Sequence, residues 1–218
     1  MDITSLVDGR AAALVFGGTL LATVLRSGLG DCKTTVRVLL AMSKRRFDAE
    51  AIRGELARQV REIQKDGLVR ASPHAFGDAE FDAATGAMIE ARSVDAMLAM
   101  HEHHRARRAG IASRASSTLA QAAELAPVFG LAGTLVSLSQ LPSNGLEAGQ
   151  FAGAIALAVL TTLYGLLLAN LLLAPLSRAV ERAIAREEEE REKLFDWLSA
   201  QIAPTAVSHS PAEFVDVA

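Results

Sequence analysis

Hydrophobic and polar residues fall into blocks along this chain. Two apolar stretches in its second half, Leu125 to Leu141 and Phe151 to Leu176, carry no formal charge and are joined by a short link, Pro142 to Gln150, containing Pro, Asn and Gly. The pair reads as a membrane hairpin. The later stretch has about 26 residues, enough at about 1.5 Å per residue to cross a hydrocarbon core of roughly 30 Å. The earlier one has about 17, at the low end of the spanning range. A third block, AAALVFGGTLLATVL between Arg10 and Arg26, is short for a span. It is read as one because Ile3 to Val7 add apolar length and Arg10 can snorkel to the interface; a soluble or interfacial helix is the alternative for this block.

Between the first span and the hairpin, Ser27 to Ser117 is rich in Ala, Arg, Glu and Leu. Apolar residues recur there at helical spacing, as in Val36, Leu39, Leu40 and in Ile52, Leu56, Val60, Ile63. This pattern predicts helices over about 33–46, 48–65 and 77–104, and another from 106 into the second span, with Gly67 and Ser72-Pro73 as breakers. After the third span, SRAVERAIAREEEEREKLFDWLSAQI has no breaker and continues as one long helix, with Glu187 to Glu190 as a solvated face. The last residues, from Pro204, read as a mobile tail. No strand-like alternation is sustained. The expectation is an all-α membrane protein with three transmembrane helices and long cytoplasmic helical extensions, divided as 1–26, 27–117, 118–176, 177–203 and 204–218.

Charge then orients the spans. Arg26, Lys33, Arg37, Lys44, Arg45 and Arg46 follow the first; Arg105, Arg107, Arg108 and Arg114 precede the second; Arg178, Arg182 and Arg186 follow the third, while the hairpin link has only Glu147. Lys and Arg favour the cytoplasmic side. This places the N-terminus and the link outside and the middle segment and C-terminus inside, in a bacterial inner membrane, with Arg10 as the exception.

Composition supports this reading. Half of the 218 residues are hydrophobic, with one Trp and one Tyr, and the net charge of −3 hides the crowding of basic residues at the ends of the apolar blocks. Nucleic acid is not an expected partner; the lipid bilayer is. The single Cys32 implies no disulfide framework and no thiol site, and the N-terminus lacks the features of a cleavable signal peptide.

No phosphate-cradling loop, cysteine pair or nucleophile elbow is present, so no enzyme activity, metal or cofactor is expected. His101, Glu102, His103 and His104 have metal-like spacing but no identifiable third ligand, and read as surface histidines. The hairpin is more informative. Gly130, Gly133 and Thr134 in the second span, and Ala154, Ala158, Thr162 with Thr161, Gly165, Ala169 in the third, recur every three or four residues. Such faces let helix backbones approach closely. Packing needs small residues but has no need of hydroxyls, and Thr134, Thr161 and Thr162 could instead line a protein-enclosed path for a cation or water. The spans hold no titratable group at mid-membrane. Glu124 sits only at the end of the second, so the carboxylate of any ion path must come from another chain.

The segment ELAPVFGLAGTLVSLSQL followed by AIALAVLTTLYGLLLANLLLAPL resembles the paired signature of the MotA/TolQ/ExbB proton-channel family, in particular its MotA branch of flagellar stator subunits. The GGTLLATVLR segment resembles the second membrane helix of that branch. The resemblance implies a pentamer of this chain around a dimer of a single-span MotB-like, or TolR/ExbD-like, partner whose Asp takes up H⁺ or Na⁺. It further implies that Pro127 and Pro175 match prolines that couple ion occupancy to conformation, and that Thr134, Thr161 and Thr162 match hydroxyl positions beside the path. IQKDGLVRAS resembles the stretch that faces the flagellar rotor, with Lys65 and Gly67 matching, Lys65 and Arg70 as the basic contacts, and Ser72 where glutamate is common. The MotA branch usually has four spans and this chain shows three, as in TolQ and ExbB. The implied function is coupling of ion flow to flagellar rotation; the alternative is a TolQ/ExbB-like energiser of envelope processes. A non-conducting scaffold built on the same packing face is the reading from another class.

Overall fold

A computed structural model describes residues 8–44, 47–66, 75–140 and 148–207. Helices make up nearly all of it: α1 (Gly9–Lys44), α2 (Ala49–Asp66), α3 (Ala79–Ala91), α4 (Val94–Ser139), α5 (Ala148–Leu167) and α6 (Ala174–Val207), with a π-helical turn, Leu168–Leu173, joining α5 to α6. No strand occurs among the described residues. The breakers Gly67 and Ser72-Pro73, Arg70 with its expected rotor contact, most of the hairpin link with Glu147, the residues before Asp8 and the tail from 208 lie outside the described residues.

The chain divides into two units, one of residues 1–45 and 111–183, the other of 46–110 and 184–218. In the first, parts of α1, α4 and α5 pack together, and among the described residues three helices are long and apolar enough to cross a membrane. Leucines such as Leu25 and Leu135 stay largely exposed on it, as expected of surfaces made for lipid. Asp8 caps α1 by accepting from the N–H groups of Arg10 and Ala11 at 2.7 and 3.1 Å. The helix expected over 33–46 belongs to α1, which is interrupted only at Gly28 (φ 81°, ψ 157°). That left-handed, extended conformation suits glycine, which has no Cβ to strain. Gly9 to Ser27 is about 28 Å of helix at 1.5 Å per residue, so the break falls where a hydrocarbon core of roughly 30 Å would end.

The second unit has an ordinary dry core. Leu56, Ile63, Phe81, Met88, Met97, Leu198 and Ile202 are fully buried. Phe81 stacks on Phe195 with ring centroids 4.5 Å apart. The helix expected over 77–104 is two helices. Arg92 adopts φ 53°, ψ 34° and closes α3, and Ser93 Oγ accepts from the Asp95 N–H at 3.2 Å to start α4. The break expected near residue 105 does not occur, since α4 runs unbroken from Val94 to Ser139 with Pro127 inside it. Pro175 likewise lies inside helical structure rather than closing a helix, and α6 continues through Pro204 to Val207.

Candidate ion-path site

The small residues on α4 and α5 mark where the two backbones meet. A Cβ on Gly165 would lie 2.6 Å from the Ala126 carbonyl oxygen, and one on Gly130 would lie 3.0 Å from that of Thr161. A Cβ on Gly133 would fall 2.7 Å from Thr161 Cβ. None of these positions has room for a larger residue without moving a helix. α1 joins in the same way, because Gly18 sits against the ring of Phe129. Ala169 is buried in a small cluster with Val15, Ala126 and Leu168, and the Asp8 N–H donates to Tyr164 Oη at 3.2 Å.

This packing separates the three threonines. Thr161 is 1% exposed, its side chain held against Gly133, and its hydroxyl donates to the Ala158 carbonyl at 2.9 Å. Thr134 and Thr162 instead line one open groove of about 400 Å³, whose other walls are Ala158, Val159, Leu163 and Leu166. Their hydroxyls donate to Leu131 and Ala158 carbonyls at 2.7 and 3.3 Å. Each hydroxyl proton is thus used within its own helix, and the lining of the groove is almost wholly apolar. None of the six lining side chains titrates. The groove therefore offers a sheltered, apolar surface with no side chain of its own that takes up and releases a proton.

The helix geometry at the prolines follows from their missing N–H. Pro127 removes the bond to the carbonyl one turn earlier, yet α4 continues, with Gly165 of α5 packed directly against the Pro127 backbone. Ahead of Pro175 the chain widens into the π turn, with the Ala174 N–H donating to the Ala169 carbonyl. Such turns relieve proline and recur where helices bend.

The second unit carries the charges. Arg191, only 7% exposed, donates to Asp78 Oδ2 at 2.6 Å and to Glu187 at 3.0 Å, and its guanidinium lies 4.2 Å from the centre of the Phe47 ring. Arg108 makes two hydrogen bonds of 2.9 Å to Glu188 and pairs with Glu80. The acidic run is therefore not simply a solvated face. Glu187 and Glu188 turn inward to these arginines, while Glu189 and Glu190 stay exposed. Burial works against the Asp78 carboxylate, but the hydrogen bonds and charge of Arg191 outweigh it and hold its pKa below the usual range. The histidines also depart from expectation. His101 is buried, stacked 4.0 Å from Phe195, and both ring nitrogens of half-buried His104 lack hydrogen-bond partners among the described residues, Nδ1 lying 3.9 Å from a Glu80 carboxylate oxygen. Burial lowers the pKa of both, for His104 with help from the neighbouring His103. Only His103 is exposed as expected, and no group of three or more metal-ligating residues occurs among the described residues. Lys65 lies exposed in the last turn of α2.

Comparison with known proteins places this architecture. The model of the MotA/TolQ/ExbB proton channel family matches residues 75–193, more than half of the chain and all of the groove. The chain belongs to that family. Among relatives of this MotA/TolQ/ExbB member, Motility protein A of Cereibacter sphaeroides is 26% identical over a 212-residue alignment that covers 90% of this chain and 78% of the relative. Two solved structures share the fold. The flagellar MotAB stator complex from Bacillus subtilis matches with a TM-score of 0.82 at 18% identity, covering 99% of this chain and 87% of that one. C. jejuni MotAB matches with a TM-score of 0.83 at 13% identity, covering 93% and 81%. The family is one of proton-channel subunits rather than of enzymes.

The residues that reading the sequence missed are the groove's apolar walls, Val159, Leu163 and Leu166. Leucine and valine in a span look alike whether they face lipid or a path. Only the packing of α4 against α5 tells them apart.

Proposed function

We propose that this chain is a stator-type subunit of an ion channel in the bacterial inner membrane. With a single-span, Asp-bearing partner it couples H⁺ or Na⁺ flow to mechanical work, most directly flagellar rotation. The observation that carries this reading is the open groove in which two hydroxyls, Thr134 and Thr162, stand among apolar walls with no titrating group. Such a surface is complementary to a partner helix bearing one carboxylate: the walls exclude bulk water, the hydroxyl oxygens assist a cation, and the partner's Asp supplies the protonation or Na⁺-binding step. The likeness to Motility protein A over most of the chain supports the flagellar version. A pentamer around a MotB-like dimer is the proposed assembly, with the N-terminus periplasmic and the second unit cytoplasmic. Thr161 contributes through the seam behind the groove, and Pro127 and Pro175 are the proposed coupling points. Lys65, with Arg70, is the proposed rotor-facing pair.

Deleting the gene tests the flagellar reading: swimming in soft agar is lost, and restored by the unchanged chain but not by Thr162→Ala, although that variant still reaches the membrane. Unimpaired swimming on deletion, with loss of outer-membrane integrity or of siderophore uptake, would instead favour the TolQ/ExbB-like energiser, with a TolR/ExbD-like partner.

A further inference from the structure

The turn between α5 and α6 holds a polar residue that the groove does not use. Asn170 is exposed in the middle of the apolar run LLLANLLL. Its side-chain nitrogen donates to the Leu166 carbonyl at 3.0 Å, which leaves Oδ1 without a partner among the described residues. The main chain adds a second acceptor. In an α-helix the Asn170 carbonyl would take the N–H of Ala174, and in a π turn that of residue 175. Ala174 donates to Ala169 instead, and Pro175 has no N–H to give. The Asn170 carbonyl is thereby left outside both hydrogen-bond ladders.

Two unpaired acceptor oxygens facing lipid would be costly, and irregular backbone at membrane depth is tolerated where it is covered by protein or lines water. Thr162, Leu166 and Asn170 follow one another at intervals of four residues and so share a helix face, the face on which the groove opens. Asn170 stands about 12 Å beyond Thr162 at 1.5 Å per residue, toward the C-terminal end of the span. Oxygen acceptors from a side chain and a broken helix are the ligand set with which membrane proteins hold cations.

We propose that Asn170 is a second polar station on the ion path, where its side-chain and main-chain oxygens coordinate a hydrated cation, hydronium or Na⁺, between the groove and the end of the span. The inference rests on the channel reading above. In a Cys32→Ser background, with the partner co-expressed, Asn170→Cys should react with a membrane-impermeant maleimide several-fold faster than Leu171→Cys, its exposed apolar neighbour on another face of the helix. In reconstituted vesicles, Asn170→Leu should lower ion flux several-fold and Asn170→Gln, which keeps the amide oxygen, should retain it. Imposing a proton gradient or a Na⁺ gradient separately distinguishes the two cations. Flux from the unchanged complex, together with equal labelling of the two cysteines or undiminished flux through Asn170→Leu, overturns this inference alone. No flux of either ion from the unchanged complex overturns the channel reading and the inference with it.

Discussion

In the apolar unit, α4 and α5 meet where side chains are missing, at Gly130, Gly133 and Gly165. In the charged unit, α3, α4 and α6 meet where side chains are largest, through Phe81, Phe195, His101, Arg108 and Arg191. The contrast follows from the solvent. In water, burying aromatic rings contributes through the hydrophobic effect, and partly buried arginines gain when carboxylates fill their hydrogen-bonding fork. In lipid the hydrocarbon is as apolar as leucine, so association relies on close approach and van der Waals contact, which glycine permits. The same long helices, α4 and α6, are thus built under two sets of rules along their length.

The largest test of this contrast removes the arginine. Arg191→Ala leaves Asp78 and Glu187 without their partner, and breaking a buried pair in this way costs about 3–5 kcal/mol. The chain's one tryptophan, Trp197, packs against the core of the charged unit. Its fluorescence should therefore report a markedly lower unfolding midpoint, while the helical signal of the membrane unit persists in detergent. Arg191→Lys, keeping the charge but not the fork, should recover only part of the loss.

The second test strikes the glycine seam. Gly133→Ala forces a Cβ into Thr161, and overpacking of this kind costs about 1–3 kcal/mol. Its effect should appear in the thermal transition of the membrane helices followed by circular dichroism. The Trp197 midpoint should stay where it is; a shift there would mean that the two units do not obey separate rules.

The smallest effect is that of pH on the charged unit. His101 and His104 have pKa values lowered by burial from the ordinary 6.5, so the unfolded chain binds their protons more readily than the folded one. Their contribution to stability is complete above pH 6.5 and declines as pH falls toward the folded values. The Trp197 midpoint should drop over that range, and the double substitution His101→Gln, His104→Gln should flatten the dependence.

Much of this was legible in the sequence. The three spans follow from the length and charge of the apolar blocks, and the spacing of Gly130, Gly133 and Gly165 announced the α4–α5 seam. The division of labour between Thr161 and Thr162 was not legible. Adjacent helical residues point about 100° apart, and which of them faces the seam depends on where the partner helix lies. The pairing of the acidic run was hidden for a similar reason, since Arg191 finds Asp78 from 113 positions away. Ser93 was a signal available but unused: a serine two residues ahead of an aspartate at a helix start is an ordinary cap, and it marks where α3 gives way to α4. The break at Gly28 was likewise signalled and unused, by the turn-forming residues of Ser27-Gly28-Leu29-Gly30-Asp31.

The glycine seam has a mechanical consequence. Side chains can absorb strain by changing rotamer, but at Gly130, Gly133 and Gly165 the contact runs from backbone to backbone or from backbone to a β-branched threonine with a stiff χ1. At Gly130 and Gly165 no side-chain bond can give way, and at Gly133 only the χ1 of Thr161 can. The seam is rigid on the scale of a bond angle, and any bending of the helix that carries it is passed along to the wider, less regularly bonded turn at Leu168–Leu173.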